Sequence, residues 1–359
     1  MEPIQPEVLI RQAGSLAGDL AGHAVPVSRQ AGGLLTAQER AETGKVYLTG
    51  DGDSYHAACA AEMAFESLAG ADCEPLSALR FTHYCAPWLD QAPGGRPLVI
   101  AISASGRTRA VADAVQAARQ RGALTIAITG APGGAVTQAA DRALVIELPR
   151  PEPSPGIRTY QASLLGLLMV AISLGQYSPG QARALADEIA ALAGPVAATA
   201  DAVQDRCREV AGIAAASPVL VMAGSGPSYG TALFAAAKMT ETAGVFAAGQ
   251  DLEEWCHVES LAYPDAMPVF VIAPPGRSIR RAAALAALAR QQGRQVIAVT
   301  DQRDTEVAAH AQAVLPVRGQ AREEFSPLLY HIFAAYTASH LARQLGRLPF
   351  QADRPPRTP

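Results

Sequence analysis

The residues best suited to proton transfer lie in the second half of the chain. Lys238 and Glu241 stand three apart in the stretch AAAKMTE, which predicts a helix that carries both side chains on one face. His257 follows in LEEWCHVES, where Glu253 or Glu254 would orient its imidazole on a helix. Together these three side-chain types fit proton transfer on a carbonyl compound. The alternatives are a surface ion pair for Lys238 and Glu241 and a surface position for His257.

A second group of residues suits the binding of an anion. The segment SASGRT, residues 103–108, follows a long apolar run and precedes a predicted helix. Backbone N–H groups and the helix dipole favour an anion there, and the hydroxyls of Ser103, Ser105 and Thr108 add donors around Gly106. We interpret residues 103–108, which also include Ala104 and Arg107, as a phosphate loop. The alternative is that Ser105 only caps the helix.

These segments occur within an internal repeat. Gly50, Gly52, Ser54, Tyr55 and Gly70 recur at a constant offset, 224 − 50 = 174. A second pair of similar segments follows in the same order, 97–129 and 268–300. The second copy of the loop, residues 273–278, reads APPGRS and lacks the first two hydroxyls and two backbone donors. The sequence therefore predicts one phosphate loop per chain, in the first half.

The elements around these residues form a regular alternation. Short apolar runs that end near Thr49, Ser103 and Thr129, and again near Ala223, Ala273 and Thr300, alternate with Ala-rich helical stretches. This pattern is typical of buried parallel strands, so we expect two doubly wound α/β domains. Prolines should keep the tail from forming a helix. The expected organisation is a helical extension (1–44), a first domain (45–177), linking helices (178–216), a second domain (217–350) and a tail (351–359).

Composition and missing motifs exclude several classes of protein. The 359 residues are 49% hydrophobic with a net charge of −4, which does not suit a dedicated nucleic-acid binder. No signal peptide, membrane span or zinc motif is evident, and the five cysteines form no C-x-x-C pair. GDGDSY lacks the third glycine of a dinucleotide fingerprint. We expect a cytoplasmic protein with no metal and no organic cofactor.

The motifs together resemble the sugar isomerase (SIS) family. The paired G-x-G-x-S-Y turns, SASGRT and the K-x-x-E…H arrangement are similar to the isomerase half of glutamine–fructose-6-phosphate aminotransferases, over roughly residues 45–350. The resemblance implies tandem SIS domains that bind a hexose 6-phosphate, with Lys238, Glu241 and His257 as catalytic residues. It also implies a homodimer, in which His257 enters the neighbouring subunit's site. The implied substrate-binding residues are Ser54, with Asp53 beside it, and Ser103, Ser105, Gly106 and Thr108. We include Ala104 and Arg107 in the predicted substrate-binding set because they belong to the same loop.

Departures from the aminotransferase pattern bear on the reaction. No glutaminase-like segment is seen, and Arg158 stands where that pattern has a lysine. Ala104 and Arg107 replace the usual Gln and Glu of the phosphate loop, and no lysine follows Lys238. We therefore expect a phosphosugar isomerase that performs aldose–ketose or deaminating isomerisation. The alternatives are a phosphosugar-binding regulator without turnover, and a lyase or etherase acting on a modified amino-sugar phosphate.

Overall fold

The chain divides into two compact units. The computed structural model describes residues 3–91 and 95–354. The first unit comprises Gly18–Arg150 and Arg158–Ala193. The second unit comprises Pro151–Ile157, the residues up to Ala17 and those from Gly194 onward.

The first unit contains a five-stranded parallel sheet with the order β2-β1-β3-β4-β5. The strands are β1 (Thr43–Gly50), β2 (Cys73–Ser77), β3 (Arg96–Ser103), β4 (Leu124–Thr129) and β5 (Arg142–Val145). The helices, from the start of the chain, are α1 (Glu7–Gly32), α2 (Ala37–Glu42), α3 (Asp53–Ala69), α4 (Ala78–Arg80), α5 (Arg109–Gln120), α6 (Ala135–Ala139), α7 (Arg158–Leu174) and α8 (Pro179–Ala191). Only the part of α1 from Gly18 onward belongs to this unit. A π-helical turn at Phe81–Cys85 and a 3-10 turn at Ala86–Gln91 follow α4.

The second unit contains a parallel sheet of the same design, with the order β7-β6-β8-β9-β10. Its strands are β6 (Val219–Ala223), β7 (Phe246–Gln250), β8 (Pro268–Ala273), β9 (Gln295–Asp301) and β10 (Ala313–Val317). Its helices are α9 (Ala193–Ala215), α10 (Pro227–Ala243), α11 (Leu252–His257), α12 (Ile279–Gln291), α13 (Pro327–Tyr330) and α14 (Ile332–Gln344). The two doubly wound parallel sheets confirm the predicted fold class.

The internal duplication is visible in the strand register. Val46 pairs with Cys73 in the first sheet, and Leu220 pairs with Ala247 in the second. Both pairs are related by the offset of 174 found in the sequence. The helix that follows each G-x-G turn also ends alike, because Gly70 and Gly244 adopt φ of +67° and +61° at the two C-caps. The repeat found in the sequence is therefore present in the structure as well.

The central strands form because their residues are apolar on both faces. Leu98 to Ser103 and Leu124 to Thr129 are buried throughout, as expected when helices cover both faces of a parallel sheet. One core cluster of the first unit packs Phe81, Val99 and Val115 together, and a cluster of the second unit contains Trp255 and Leu285. These cores hold the carboxyl ends of the strands, where the candidate loops begin.

The ends of the chain follow the expectations in part. Helices α1 and α2 supply the predicted N-terminal helical extension. The tail forms one 3-10 turn at Pro349–Gln351, in which Phe350 has a left-handed φ of +57° and breaks any regular helix. Residues 355–359 of the predicted tail lie outside the described part of the chain. Across residues 3–91 and 95–354, every helix is too short or too polar to cross a bilayer.

Candidate functional site

The first G-x-G turn connects β1 to α3 and brings the chain close to the end of β3. A side chain at Gly50 would place its Cβ 2.7 Å from Cβ of Ser54 and 2.9 Å from the carbonyl oxygen of Ile102. Only glycine allows this approach. Asp53 and Ser54 therefore stand in the first turn of α3 at the carboxyl edge of the sheet, and Asp53 Oδ1 lies 3.6 Å from Nδ1 of His56.

The predicted phosphate loop, residues 103–108, lies at the end of the neighbouring strand, β3. Gly106 adopts a φ of +65°, and its N–H donates to the carbonyl oxygen of Ser103 at 3.0 Å. The buried Ser103 hydroxyl lies 3.1 Å from the Thr108 hydroxyl, which ties the two ends of the loop together. Ser105 and Arg107 are exposed, and the Arg107 N–H donates to Ser105 Oγ at 3.3 Å. The loop is thus a tight turn that presents Ser105 and Arg107 to solvent, while Gly106 between them is buried.

Helix capping by Ser105 is not what the structure shows. The N-cap residue of α5 is Thr108, and its side chain makes no capping hydrogen bond. Ser105 accepts only within the turn, from the Arg107 N–H. The amino end of this 12-residue helix therefore lies beside the turn without a side-chain cap, an arrangement that suits an anion.

The corresponding loop of the second unit already holds a carboxylate. Its helix α12 begins after Ser278, as α5 begins after Thr108. Glu323 Oε1 accepts from the Arg277 N–H at 3.1 Å, and a Cβ at Gly276 would lie 2.4 Å from Cδ of Glu323. The Glu323 side chain is only 13% exposed. The chain's own acidic group thus occupies this loop, which fits the expectation that only the first half holds a phosphate.

Lys238 and Glu241 form a close ion pair on α10. Lys238 Nζ lies 2.6 Å from Glu241 Oε2. The Lys238 side chain is 0% exposed and that of Glu241 is 33% exposed. The pair is therefore not the surface ion pair considered as an alternative. A buried ammonium is costly without a partner, so removal of the Glu241 carboxylate alone would be destabilising.

His257 is the last residue of α11. Its side chain is 67% exposed, and Nε2 lies 3.2 Å from Glu253 Oε1. Glu253, rather than Glu254, is thus the carboxylate that contacts the imidazole. Glu253 also accepts from the Arg281 guanidinium at 2.9 Å, which fixes the carboxylate in place. An exposed, oriented imidazole can exchange protons with a ligand or a neighbouring molecule.

Arg158, which stands at the apparent lysine position, has a structural environment. Its guanidinium makes a buried two-point contact with Asp19 of α1, with N···O distances of 2.5 and 2.7 Å. It also donates to the carbonyl oxygen of Pro149 at 2.9 Å. The residue therefore joins α7 to α1 within the first unit.

Two features were missed by sequence reasoning. By the offset of 174, His83 is the residue of the first repeat that is equivalent to His257, since 257 − 174 = 83. The aromatic residues two positions earlier, Phe81 and Trp255, are also equivalent, and both are fully buried. The constant offset was the signal for this pair. The insertion of Glu323 into the second loop had no local signal, because the two segments are separated by 46 residues.

The fold and the two loop types define a tandem α/β protein built from one repeated unit. The SIS domain model matches residues 41–173 and again residues 213–345, so the chain belongs to the SIS domain family. A glutamine–fructose-6-phosphate aminotransferase [isomerizing] of Pyrococcus horikoshii is 27% identical over 314 residues. That alignment covers 87% of this chain but 50% of the relative, so the chain spans about half the relative's length.

Solved structures share the fold. The C-terminal domain of glucosamine-fructose-6-phosphate aminotransferase from Francisella tularensis has a TM-score of 0.83 and 14% identity, with 95% of this chain and 97% of that chain covered. Tagatose-6-phosphate ketose/aldose isomerase from Escherichia coli has a TM-score of 0.76 and 18% identity, with 96% and 94% covered. At these identities the similarity shows the fold.

Proposed function

We propose that this protein is a phosphosugar isomerase that acts on a hexose 6-phosphate or an amino-sugar 6-phosphate. The observation that carries the proposal is the buried ammonium of Lys238, 2.6 Å from the carboxylate of Glu241, on a helix of a SIS domain. Relatives named as isomerising aminotransferase and ketose/aldose isomerase support the same reaction class.

Glu241 is the proposed proton carrier. Its carboxylate removes the proton from C2 of the open-chain aldose and returns it to C1, so the carboxylate is regenerated. Negative charge develops on the sugar oxygens in the enediolate, and the Lys238 ammonium stabilises that charge. With an amino group at C2 the same transfer forms an enolamine and then an imine. Water hydrolyses the imine to the ketose and releases ammonia.

The phosphate loop and the first G-x-G turn are the proposed anchor for the substrate. The uncapped amino end of α5 and the hydroxyls of Ser103, Ser105 and Thr108 supply donors for the phosphate oxygens. The exposed Arg107 adds a positive charge, and the small side chain of Ala104 leaves room for the anion. Gly106 lets the turn close, because a Cβ there would lie 3.0 Å from Thr129 Oγ1. Asp53 and Ser54 follow the neighbouring strand and would contact the same ligand.

His257 is the proposed group for sugar-ring opening, and a homodimer is the proposed assembly. The imidazole is exposed at the end of α11, beside the exposed apolar side chains Val258, Leu261 and Tyr263. Exposed apolar residues of this kind are typical of protein interfaces. An interface here would let His257 act in the site of the neighbouring subunit.

Turnover of a substrate panel tests the proposal. Hexose and hexosamine 6-phosphates are incubated with the protein, and products are followed by ³¹P and ¹H NMR. We expect conversion of at least one sugar, reduced at least about a hundredfold in Glu241→Gln. Binding without conversion would favour the phosphosugar-binding regulator. A hexosamine 6-phosphate with an ether at C3 is added to the panel, and loss of that substituent without isomerisation would favour the lyase or etherase.

A further inference from the structure

An aromatic ring lies directly beside the buried Lys238 ammonium. Phe234 precedes Lys238 by one turn of α10, and Lys238 Nζ lies 5.1 Å from the centroid of the Phe234 ring. Both side chains are fully buried. A cation within about 6 Å of a ring centroid is attracted by the ring's quadrupole, and the attraction is strongest where water is excluded.

The Phe234 ring is itself held by a second ring. His331 lies at the junction of α13 and α14 and meets Phe234 edge to face, with ring centroids 5.8 Å apart and planes at 69°. His331 Nδ1 lies 2.9 Å from the carbonyl oxygen of Pro327, which fixes the imidazole. Burial lowers the pKa of His331 to about 4, so the imidazole is neutral near pH 7 and adds no positive charge beside Lys238.

The other ionisable groups on the helices packed against α10 do not supply a second counter-ion. Burial raises the pKa of Tyr330 on α13 and of Tyr336 on α14, and it lowers that of His340 on α14, so all three side chains are neutral near pH 7. Arg343, also on α14, carries a positive charge and pairs with Glu7 at 3.1 Å. Arg347 donates to the carbonyl oxygen of Ala243, at the carboxyl end of α10. Among these groups, Glu241 is therefore the negative charge that faces Lys238. The neutral ring of Phe234 adds a second attraction to the same ammonium.

We propose that Phe234 is a positioning residue, whose ring face keeps the Lys238 ammonium charged and directed toward Glu241. In the isomerase reaction, on which this role rests, a charged ammonium is the form that stabilises the enediolate. Phe234 is fully buried, so its proposed role does not require contact with the sugar. It acts through Lys238 alone.

The chain offers a direct readout because Lys45 and Lys238 are its only lysines. Lysine labelled with ¹³C at Cε gives two signals, which Lys45→Arg assigns. The Cε shift of each lysine is followed as the pH is raised. Lys45 lies 5.3 Å from the Tyr47 ring and pairs with Glu74, so it serves as an internal reference in the first unit.

We expect Phe234→Leu to move the Lys238 titration to lower pH by about one unit, because the charged form loses the ring's attraction. The Lys45 signal should not move. Phe270→Leu is the matched control, since Phe270 is a fully buried ring of the same unit that stacks on Phe333. This control should leave both lysine titrations unchanged.

A fluorinated ring separates electrostatics from packing. 3,4,5-Trifluorophenylalanine at position 234 keeps the ring's shape but weakens its quadrupole, and it also serves if Phe234→Leu does not fold. We expect a Lys238 titration below that of the wild type. A titration equal to the wild type in the trifluoro protein would overturn the proposal.

The kinetic readout is separate from the titration. If the protein is an isomerase, Phe234→Leu should lower kcat more than it raises KM, and the basic limb of the pH profile should move with the Lys238 signal. A shifted Lys238 signal in a protein without isomerase activity would contradict the proposed function but leave the Phe234–Lys238 contact standing. An unshifted signal would contradict the role of Phe234 alone.

Discussion

The Lys238–Glu241 pair joins a fully buried cation to a partly exposed anion. The two partners therefore differ in what their removal leaves behind. Without Glu241 the ammonium would remain buried without its counter-ion, whereas without Lys238 the carboxylate would still reach water. The contact of Glu241 with the buried ammonium therefore matters for the stability of the fold, independently of any role in catalysis.

This asymmetry predicts unequal losses of stability. Glu241→Leu should lower the free energy of unfolding by about 3 kcal/mol, because a buried charge loses its partner. Lys238→Met removes the charge and keeps most of the volume, so it should cost about 1 kcal/mol. Urea unfolding of both variants and of the double variant measures the difference. Equal losses for the two single variants would contradict this account.

The buried His331 predicts a dependence of stability on pH. Its pKa is about 4 in the folded protein and about 6.5 when exposed, so the unfolded chain binds more protons between these values. The stabilising contribution is present above pH 6.5 and is lost as the pH falls toward 4. The loss should approach about 3 kcal/mol, by the conversion of 1.36 kcal/mol per unit.

The check is the difference between the wild type and His331→Gln. As the pH falls from 7 to 4, the free energy of unfolding of the wild type should fall by about 3 kcal/mol more than that of the variant. Parallel curves would show that His331 does not carry the effect.

At the scale of single elements, the two loops that follow β3 and β8 have diverged. Each precedes a helix at the carboxyl edge of its sheet, but the first presents hydroxyls and the second holds the Glu323 carboxylate. The prolines of the second loop also remove two backbone donors. One repeated unit therefore gives two different loops, and we propose that the first accepts an external anion.

Binding of a sugar phosphate should depend on the first loop only. Thr108→Val is expected to weaken binding of a hexose 6-phosphate about tenfold, because one hydroxyl donor is lost and the ends of the loop are untied. Ser278→Ala changes the corresponding residue of the second loop and is the matched control. Isothermal titration calorimetry of both variants gives the comparison, and equal affinities would contradict the assignment of the phosphate loop.

Glu323 should instead contribute to stability. Glu323→Ala removes the acceptor of the exposed Arg277 N–H and should cost about 1 kcal/mol, the typical net value of one hydrogen bond. Glu323→Gln keeps an oxygen at the site and should cost less. The exposed Glu306, in the same unit, is a control whose replacement by alanine should have little effect. Thermal unfolding measures all three, and an unchanged Tm for Glu323→Ala would show that the contact is not formed.

The elements that could be predicted from sequence are those set by local pattern. The inner strands were predictable because their residues are apolar on both faces, and the turns at Gly50 and Gly224 because glycine is needed there. The edge strands β2 and β5 were not predicted, since CEPLS and RALV are short and partly polar. The burial of Lys238 and the insertion of Glu323 depend on contacts made in the folded chain, which local pattern does not contain.

At the scale of the whole molecule, the proposed homodimer would make each site depend on two chains. Mixing Glu241→Gln with His257→Asn tests this directly. If His257 acts in the neighbouring subunit, each mixed dimer contains one site with both groups intact, and random mixing should restore about a quarter of the wild-type activity. Activity that stays at the level of the separate variants would contradict action across the interface. Analytical ultracentrifugation of the mixture, and of Leu261→Glu, shows whether the dimer forms.

The most direct test of the central claim is the exchange of carbon-bound protons with solvent. The protein is incubated in D₂O with hexose and hexosamine 6-phosphates, and deuterium at C1 and C2 is followed by NMR. The account predicts deuterium at one of these carbons for at least one sugar, with incorporation lost in Glu241→Gln and retained in the exposed control Glu306→Gln. A sugar phosphate that binds but gains no deuterium and gives no product, or one labelled equally well by Glu241→Gln, would contradict proton transfer by Glu241.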